Sequence, residues 1–471
     1  MIKMLEWGKE NCQLNLLKEL KKLLFLCKHF LQRMKAIQIE FTDKEITPWG
    51  GMSLLKQMLD RIDFETVLRN ADLPAQRSNR GYPPEQLLIN FLVGVWCGAN
   101  CFEHLEVTRH DRAIGEIFEW RRMPGHRAFR RYFQKFDQGV NQRVFTLLYQ
   151  WFFNNLHLDN YTLDFDSSVL TRYGTQQGAK RGYNPRKPGR PSHHPLMAFV
   201  AECRMVANCW LRPGDSYTTN NFLGFLEDTR QKLQGKKVSL IRADSGFYSK
   251  EVFDYLEQEG LPYVVACRFY RPIKTKLASH RSWLKLDEGI EIAETTFQAE
   301  DWKAPRRLVM VRQQINKRPK ATGKQLRLFE DEGIYRNYRY SCFVTNLDFS
   351  AKMVYDLYRN RADAENRIKE VKYDFGFESF NCNDFWATEA MLNVVMLAYN
   401  LMSLFRQAVM GTKVQHQMKT LRYKVFAIGG YMIKNGNSRI LKLSMQMKRR
   451  DWFKGLWSST ELMSWPFLVP S

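Results

Sequence analysis

Three acidic residues, far apart in the chain, stand where carboxylates could carry out chemistry. Asp166 lies in a stretch with strand-like alternation, Asp244 ends a second apolar run, and Glu365 lies in a helical stretch far downstream. A carboxylate in a buried strand is costly unless it is paired or binds a metal, and ligands of open α/β sheets bind where strands end. If the three acids converge, they could hold two Mg²⁺ ions about 3.5–4 Å apart, one activating a water or a 3′-hydroxyl and the other stabilising the leaving oxygen.

The simpler interpretation is that each acid is structural, since an Asp at a strand end more often caps a turn or pairs with an arginine. Which aspartate is the first of the three acids is also ambiguous. Asp164 and Asp166 project to the same face, because strand side chains alternate with a period of two, so either could bind the metal. We favour Asp166 because Ser167 and Ser168 follow it and indicate a change of polarity at the site. Asp164 remains the alternative.

The helical stretch around Glu365 carries three further polar residues at a regular spacing. The four residues are Tyr358, Arg361, Glu365 and Lys372. Their separations of three, four and seven positions place them within a sector of roughly 60° on one helix. A solvated face is the simpler interpretation, because other charged residues lie nearby. The mixture nevertheless favours a site, because a metal-binding carboxylate needs flanking cations to hold the phosphodiester being cut.

The composition is that of a large, basic, folded protein. The 471 residues carry 72 Lys+Arg against 49 Asp+Glu, a formal net charge of +23, which attracts nucleic acid more often than anionic lipid. Hydrophobic residues make up 44% of the chain, which excludes a disordered protein. No run of 18 apolar residues occurs, which predicts no membrane span. The nine cysteines include no CxxC pair, which excludes a zinc ribbon and favours a reducing cytoplasm.

The order of the elements predicts an α/β protein. A strand-like run ends at Asp244, a helix-like run follows, and residues 263–268 are strand-like again, which is the order found in α/β sheets. A second methionine at Met34 suggests that residues 1–33 are an appended segment. The predicted segments are 1–40 as an N-terminal extension, 41–155 as a helical DNA-binding region, 156–270 as the first part of the core, 271–344 as a β-strand insertion, 345–410 as the second part of the core with the Glu365 helix, and 411–471 as a basic C-terminal region.

Two basic segments could contact DNA. The loop 174–195 is rich in Gly and Pro, which favours an irregular backbone that can follow phosphates. Its cations are Lys180, Arg181, Arg186, Lys187 and Arg190. His193 and His194 lack further ligands at metal-binding spacing, so we interpret them as structural. The stretch 127–137 interleaves arginines with aromatic residues, and an amphipathic helix is slightly favoured there over a DNA-contacting one.

Combined, these motifs resemble those of a known family. The pattern Tyr-x2-Arg-x3-Glu-x6-Lys over 358–372 matches the YREK signature of DDE transposases from bacterial insertion sequences. The run 166–168 resembles the first acidic motif of that superfamily, and the run 242–248 resembles the second. The loop 178–192 resembles the loop after the first strand in one branch of these enzymes. The resemblance covers about 156–410.

The resemblance implies a ribonuclease-H-like catalytic core with an inserted β domain and a helical N-terminal region. It implies that Asp166 and Asp244 lie on adjacent strands and that Glu365 comes from a helix after the insertion. These acids would be the catalytic ligands of Mg²⁺, for which Mn²⁺ can substitute. The other three residues of the signature would hold the backbone of the transposon end; they are Tyr358, Arg361 and Lys372.

The resemblance also implies an activity. The protein would bind the terminal inverted repeats of an insertion sequence, join the two ends in a synaptic complex as a homodimer, and cut and insert the element into target DNA. It would act on DNA in the bacterial cytoplasm, at the nucleoid and away from membranes. Related enzymes often stack an aromatic residue of the insertion on a flipped base. Trp302 is the candidate here, although a packed tryptophan is the preferred interpretation.

Two other functions fit part of the pattern. A domesticated nuclease would cut DNA without inserting it. A non-catalytic nucleic-acid-binding protein would use the same positive charge with steep salt dependence and no metal-dependent cleavage. Three acids gathered beside a phosphate argue against a pure binding protein, because they would repel its ligand.

Overall fold

The computed structural model describes residues 17–26, 39–76, 78, 80–326, 337–411 and 415–469. The chain divides into two compact units, 1–44 and 45–471. In the first unit, residues 17–26 are helical. The rest of the predicted appended segment 1–33 lies outside the described residues. All further statements concern the second unit.

The second unit begins with helices that pack their apolar faces together. In α6, for example, Phe129, Tyr132 and Phe133 are buried while Arg127 is exposed, which is the pattern of an amphipathic helix in a core. The helices of this region are α1 (Met52–Arg61), α2 (Phe64–Arg69), α3 (Pro84–Trp96), α4 (Leu105–Arg109), α5 (Arg112–Ile117), α6 (His126–Phe133) and α7 (Gln138–Asn154).

Within the described residues, the strands that follow build one large mixed sheet and three small ones. The large sheet has nine strands in the order β10-β11-β12-β13-β9-β8-β2-β6-β7. The strands of the chain are β1 (Leu156–His157), β2 (Asn160–Ser167), β3 (Leu170–Thr171), β4 (Lys180–Arg181), β5 (Pro191–His193), β6 (Leu196–Val200), β7 (Met205–Trp210), β8 (Lys237–Ala243), β9 (Tyr263–Ala266), β10 (Leu284–Asp287), β11 (Ile290–Phe297), β12 (Arg306–Gln314), β13 (Tyr338–Thr345), β14 (Gly430–Asn435), β15 (Ser438–Leu443) and β16 (Phe467–Leu468).

The directions of the five central strands confirm the predicted α/β, ribonuclease-H-like core. Strands β2, β8 and β9 are parallel neighbours, whereas β6 and β7 continue the sheet from β2 in antiparallel pairs. Strand β6 is buried at every position, as expected for a strand covered on both faces. The crossovers carry α8 (Phe222–Lys232) and α9 (Lys250–Gln258).

The strands of the interval 271–344 extend this same sheet. Strand β13 pairs with β9, with Phe343 opposite Ala266, and β12, β11 and β10 follow outward in antiparallel pairs. The interval begins with a helix, α10 (Arg271–Ser279). The strand-only interpretation missed this helix, although Pro272 in its first turn and the buried Ile273 and Leu277 four residues apart are helix signals.

The stretch 358–372, predicted to lie on one helix, is divided between two helices. Helix α11 (Ala351–Arg359) ends before Asn360, and α12 (Ala362–Asp374) begins after Arg361. The next helix, α13 (Phe385–Leu404), runs through the core and packs against β7. Residues 385–409 are long and apolar enough to cross a membrane, but an 18-residue apolar stretch within them is entirely buried inside the protein. They therefore form a core helix.

The C-terminal region returns to the N-terminal helices. Helix α14 (Met418–Leu421) is followed by the hairpin β14–β15 and by α15 (Met447–Leu462), which packs on α1. Strand β16 pairs with β1, with Phe467 opposite Leu156. The N-terminal helices, the core and the C-terminal region thus share one hydrophobic core.

Candidate active site

The first two acids lie at the carboxyl ends of neighbouring parallel strands. The register of β2 and β8 pairs Phe165 with Ala243, so Asp166 and Asp244 occupy the next positions, on strands about 4.8 Å apart. The Asp244 carboxylate accepts a hydrogen bond from the amide of Gly246 at 2.8 Å and caps the turn after β8. A Cβ at position 246 would lie 2.9 Å from that carboxylate, so a larger residue there would push against it.

Glu365 reaches the same region from α12, and Arg361 lies between it and Asp166. The Arg361 Nη2 atom is 2.9 Å from Asp166 Oδ2, and its Nη1 atom is 3.6 Å from Glu365 Oε1. The side chain of Asp166 is 15% exposed, whereas that of Glu365 is 58% exposed. The guanidinium of Arg361 therefore connects Asp166 on β2 with Glu365 on α12.

The three acids are close enough for the charges of Asp244 and Glu365 to raise the pKa of Asp166. Burial raises the pKa of Asp166 to about 6; Arg361 opposes this increase, and the charges of Asp244 and Glu365 add to it. Burial likewise raises the pKa of Tyr358 to about 12, against the effect of Arg361 and with the help of the same acids. The Tyr358 hydroxyl is therefore protonated at neutral pH and can donate a hydrogen bond.

The donor set suits a hard divalent cation, but the side chains are not assembled around one. Carboxylate oxygens are the ligands that Mg²⁺ prefers, and Asp166 and Asp244 lie side by side. Within the described ranges, no three His, Cys, Asp or Glu side chains converge closely enough to hold a metal ion. The physical reason is that the guanidinium of Arg361 stands between Asp166 and Glu365. Asp166 and Asp244 suit a hard divalent cation, and the exposed side chain of Glu365 would have to change rotamer to join them.

Asp164, the alternative metal ligand to Asp166, forms an ion pair with Arg242. Its side chain is fully buried, and its two oxygens accept hydrogen bonds from Arg242 Nε at 2.6 Å and Nη2 at 2.8 Å. Arg242 also donates to the carbonyl of Leu357 at the end of α11. Asp164 is thus a structural partner that ties β2, β8 and α11 together, and we keep Asp166 as the proposed ligand.

The four residues of the signature do not form one exposed row. Tyr358 is on α11, where its ring lies 4.3 Å from that of Phe343, and the other three follow the break between the helices. Lys372 is buried, and its ammonium donates to the carbonyl of Val169, just after β2, at 3.1 Å. The prediction of one continuous helix with these residues on a face outside the core was wrong: the helix is interrupted at 360–361, and Arg361 and Lys372 are buried.

A cleft of about 860 Å³ opens beside these residues. It extends from Glu365 to the segment 318–324, which connects β12 to β13, and Phe269 lies along it. Besides Arg361, it is lined by the cations Arg318, Lys320, Lys324 and Arg359. Lys320 and Lys324 have no acidic partner among the residues that the structure describes. Sequence reasoning missed this cationic wall, although the run 317–320 carries three cations and was a usable signal.

The basic loop 174–195 is more ordered than its composition suggests. Strands β3, β4 and β5 form a small sheet there, with Lys180 opposite Ser192. Lys180 pairs with Asp215 at 2.9 Å, and Arg186 donates to the hydroxyl of Tyr373 at 2.6 Å. The remaining cations of the loop are exposed; they are Arg181, Lys187 and Arg190. The prediction of an irregular backbone throughout the loop was therefore wrong.

His193, considered as a metal ligand, and Trp302, considered for base stacking, are both packed inside the protein. His193 is buried, its ring bonds to Arg172 and to the carbonyl of Gln177, and burial lowers its pKa to about 4. Trp302 is 5% exposed, and the guanidinium of Arg306 lies 4.6 Å from its ring centroid. Neither side chain is free to bind a metal or a base in this arrangement.

The raised pKa of Asp166 leads to a stability prediction. The folded protein binds this proton more tightly than the unfolded chain, so the pKa increase from 3.8 to about 6 makes folding less favourable as the pH rises through that window. We expect Asp166→Asn to stabilise the metal-free protein by about 2–3 kcal/mol at pH 7.5. The gain should shrink towards pH 4. Thermal unfolding in the presence of a chelator at both pH values tests this, and a less stable variant at pH 7.5 would contradict it.

The chain belongs to a family described as transposase DDE domain group 1, whose model matches residues 30–464. It is therefore a DDE-type DNA transposase. This confirms the DDE resemblance found in the sequence, whereas the bacterial insertion-sequence origin and the YREK assignment stay predictions. No curated protein matches the chain.

Two solved structures are similar to the chain at low identity. One is a piggyBac transposase synaptic complex with hairpin DNA, at 16% identity, 81% coverage of both chains and a TM-score of 0.41. The other is a Mos1 transposase paired-end complex with the left transposon end, at 14% identity, covering 50% of this chain and 66% of that one, with a TM-score of 0.16.

Proposed function

We propose that the protein is a cut-and-paste transposase that binds the terminal inverted repeats of its own element, cleaves them with Mg²⁺ and transfers the strands to target DNA. The observation that carries the proposal is the position of Asp166 and Asp244 at the ends of adjacent strands, with Glu365 linked to Asp166 through one guanidinium. Family membership supplies the reaction class.

Each side chain of the site has a defined task in this proposal. Bound Mg²⁺ would activate first a water and then the freed 3′-hydroxyl, and would stabilise the leaving oxygen. Asp166, Asp244 and Glu365 would hold it, and Mn²⁺ would substitute. Asp166 is ionised above about pH 6, so metal binding should weaken in more acidic solution. The protonated hydroxyl of Tyr358 can donate to a phosphate oxygen of the bound strand.

DNA is the proposed partner. The net charge of +23 gives a long-range attraction for a polyanion, and the cleft beside Glu365 has a cationic wall. An element has two ends that must be cut and inserted together, so we propose a homodimer in the synaptic complex. We place this activity in the cytoplasm, where bacterial DNA is found.

A donor plasmid tests the proposal. It would carry a marker between the two DNA stretches that flank the coding region, and purified protein, Mg²⁺ and a target plasmid would be added. We expect Mg²⁺-dependent release of the marker and its joining to the target. Cleavage without joining would support a domesticated nuclease, and binding without cleavage would support a non-catalytic DNA-binding protein.

The exposed loop cations make a separate prediction about salt. Within the described ranges the side chain of Arg181 has no hydrogen-bond or acidic partner, and that of Arg190 has no contact but the one with the ring of Tyr173. If both contact phosphates, replacing both with Gln should lower the slope of log affinity against log salt by about 0.9 for each contact. Fluorescence anisotropy at several salt concentrations measures this slope. Lys56→Gln is the control, because Asp60 already neutralises that lysine; an equal effect there would contradict the assignment.

A further inference from the structure

Arg361 places a fixed positive charge where the proposed metal would bind. It is only 3% exposed, and its guanidinium donates to Asp166 Oδ2 at 2.9 Å and to the carbonyl of Phe165 at 3.2 Å. Its other terminal nitrogen lies 3.6 Å from Glu365 Oε1. A guanidinium does not lose its proton in proteins. Two of the three proposed metal ligands are therefore in ionic contact with this one positive charge in the metal-free protein.

Both oxygens of Asp166 already accept a hydrogen bond. Oδ1 accepts from the amide of Ser167 at 2.7 Å, and Oδ2 accepts from Arg361. The amide is fixed because it belongs to the same strand, whereas the guanidinium is at the end of a long side chain. A divalent ion on Asp166 would lie beside a permanent cation. Of the two partners of Asp166, Arg361 is the one that metal binding would displace.

The surroundings offer Arg361 a second position. Its Nε atom has no hydrogen-bond partner in the described part of the chain. The residue also lines the cleft of about 860 Å³, together with Tyr358 and Glu365. A guanidinium that leaves a carboxylate needs another anion, and it binds phosphate oxygens in the same two-pronged geometry.

We propose that Arg361 is an exchangeable counter-ion that couples metal binding to DNA binding. In the metal-free protein it pairs with Asp166 and also contacts Glu365. When the metal takes these carboxylates, Arg361 moves to a phosphate of the DNA in the cleft. Metal and DNA then strengthen each other's binding by the same factor, because linkage is reciprocal. The inference rests on the proposed function and adds that the site stays poorly metallated until DNA is present.

Manganese binding without DNA tests the first half of the inference. Mn²⁺ affinity would be measured by electron paramagnetic resonance at pH 8.5, where Asp166 is ionised, for the wild type, Arg361→Gln and Arg361→Lys. We expect Arg361→Gln to bind Mn²⁺ roughly tenfold more tightly than the wild type, and Arg361→Lys, which keeps the charge, to stay close to the wild type. Weaker or unchanged binding in Arg361→Gln would show that Arg361 only positions Asp166, and would overturn the inference.

The wild type alone tests the second half, so the test survives a variant that fails to fold. Adding a short duplex taken from the DNA that flanks the coding region should tighten Mn²⁺ binding roughly tenfold. No change in the wild type would overturn the inference. Asp166→Asn and Asp244→Asn separate it from the proposed function. If both bind Mn²⁺ like the wild type, the proposed function fails; if both lose binding but Arg361 has no effect, only the exchange fails.

Discussion

Replacing either strand acid with its amide, as in Asp166→Asn or Asp244→Asn, is expected to reduce DNA cleavage by roughly a thousandfold or more. The metal contributes several kcal/mol of charge stabilisation to the transition state, and each 1.36 kcal/mol corresponds to a tenfold rate change. DNA binding should persist, because the loop and cleft cations remain. Cleavage of labelled transposon ends and a gel-shift assay on the same preparations measure both effects.

The helix provides a matched control for the third acid. Glu365 and Asp363 are both on α12 and both well exposed, at 58% and 59% of the side-chain surface, but only Glu365 contacts Arg361. Glu365→Gln should therefore lose cleavage, whereas Asp363→Asn should cut normally. Equal activities of these two variants would remove Glu365 from the site.

The second large effect concerns stability and belongs to Asp164 and Arg242. This ion pair is buried, with two hydrogen bonds at 2.6 and 2.8 Å. Removing one partner leaves an uncompensated buried charge, which costs about 3–5 kcal/mol. We expect Arg242→Ala to lower the free energy of unfolding by about that amount, measured by urea denaturation at pH 7.5.

The same measurement distinguishes Asp164 from Asp166, because replacing each with Asn should change the free energy of unfolding in opposite directions. Asp164→Asn should destabilise the protein, because it weakens the pair with Arg242. Asp166→Asn should stabilise the metal-free protein, because burial and the neighbouring acids outweigh Arg361 at that carboxylate. A more stable Asp164→Asn variant would mean that Arg242 does not hold this carboxylate. In that case the choice of Asp166 over Asp164 would lose its physical basis.

The sequence predicted the core because its local signals agreed. The run before Asp244 is apolar and is followed by a turn and an amphipathic helix, so strand, helix and strand could be predicted in order. Asp166 and Asp244 could be placed at strand ends for the same reason. Glu365 could be found only because its neighbours on the helix were polar in a regular pattern.

The pairing of the acids could not be predicted, because it depends on contacts between distant residues. Arg242 is 78 positions from Asp164, and the register of two strands decides that it meets Asp164 rather than Asp166. The helix is interrupted at 360–361, where no Gly or Pro marks a break, and Arg361 is buried although it is charged. Lys372 carries a charge, yet it is buried against the carbonyl of Val169, and no local pattern predicts that.

The most direct measurement of the central claim is anomalous diffraction from crystals of the protein grown with Mn²⁺ and end DNA. We expect manganese between the carboxylates of Asp166 and Asp244, with the Glu365 side chain turned towards the metal and Arg361 on a DNA phosphate. Crystals of a complex that cuts DNA, but whose manganese lies away from these three acids, would contradict the account.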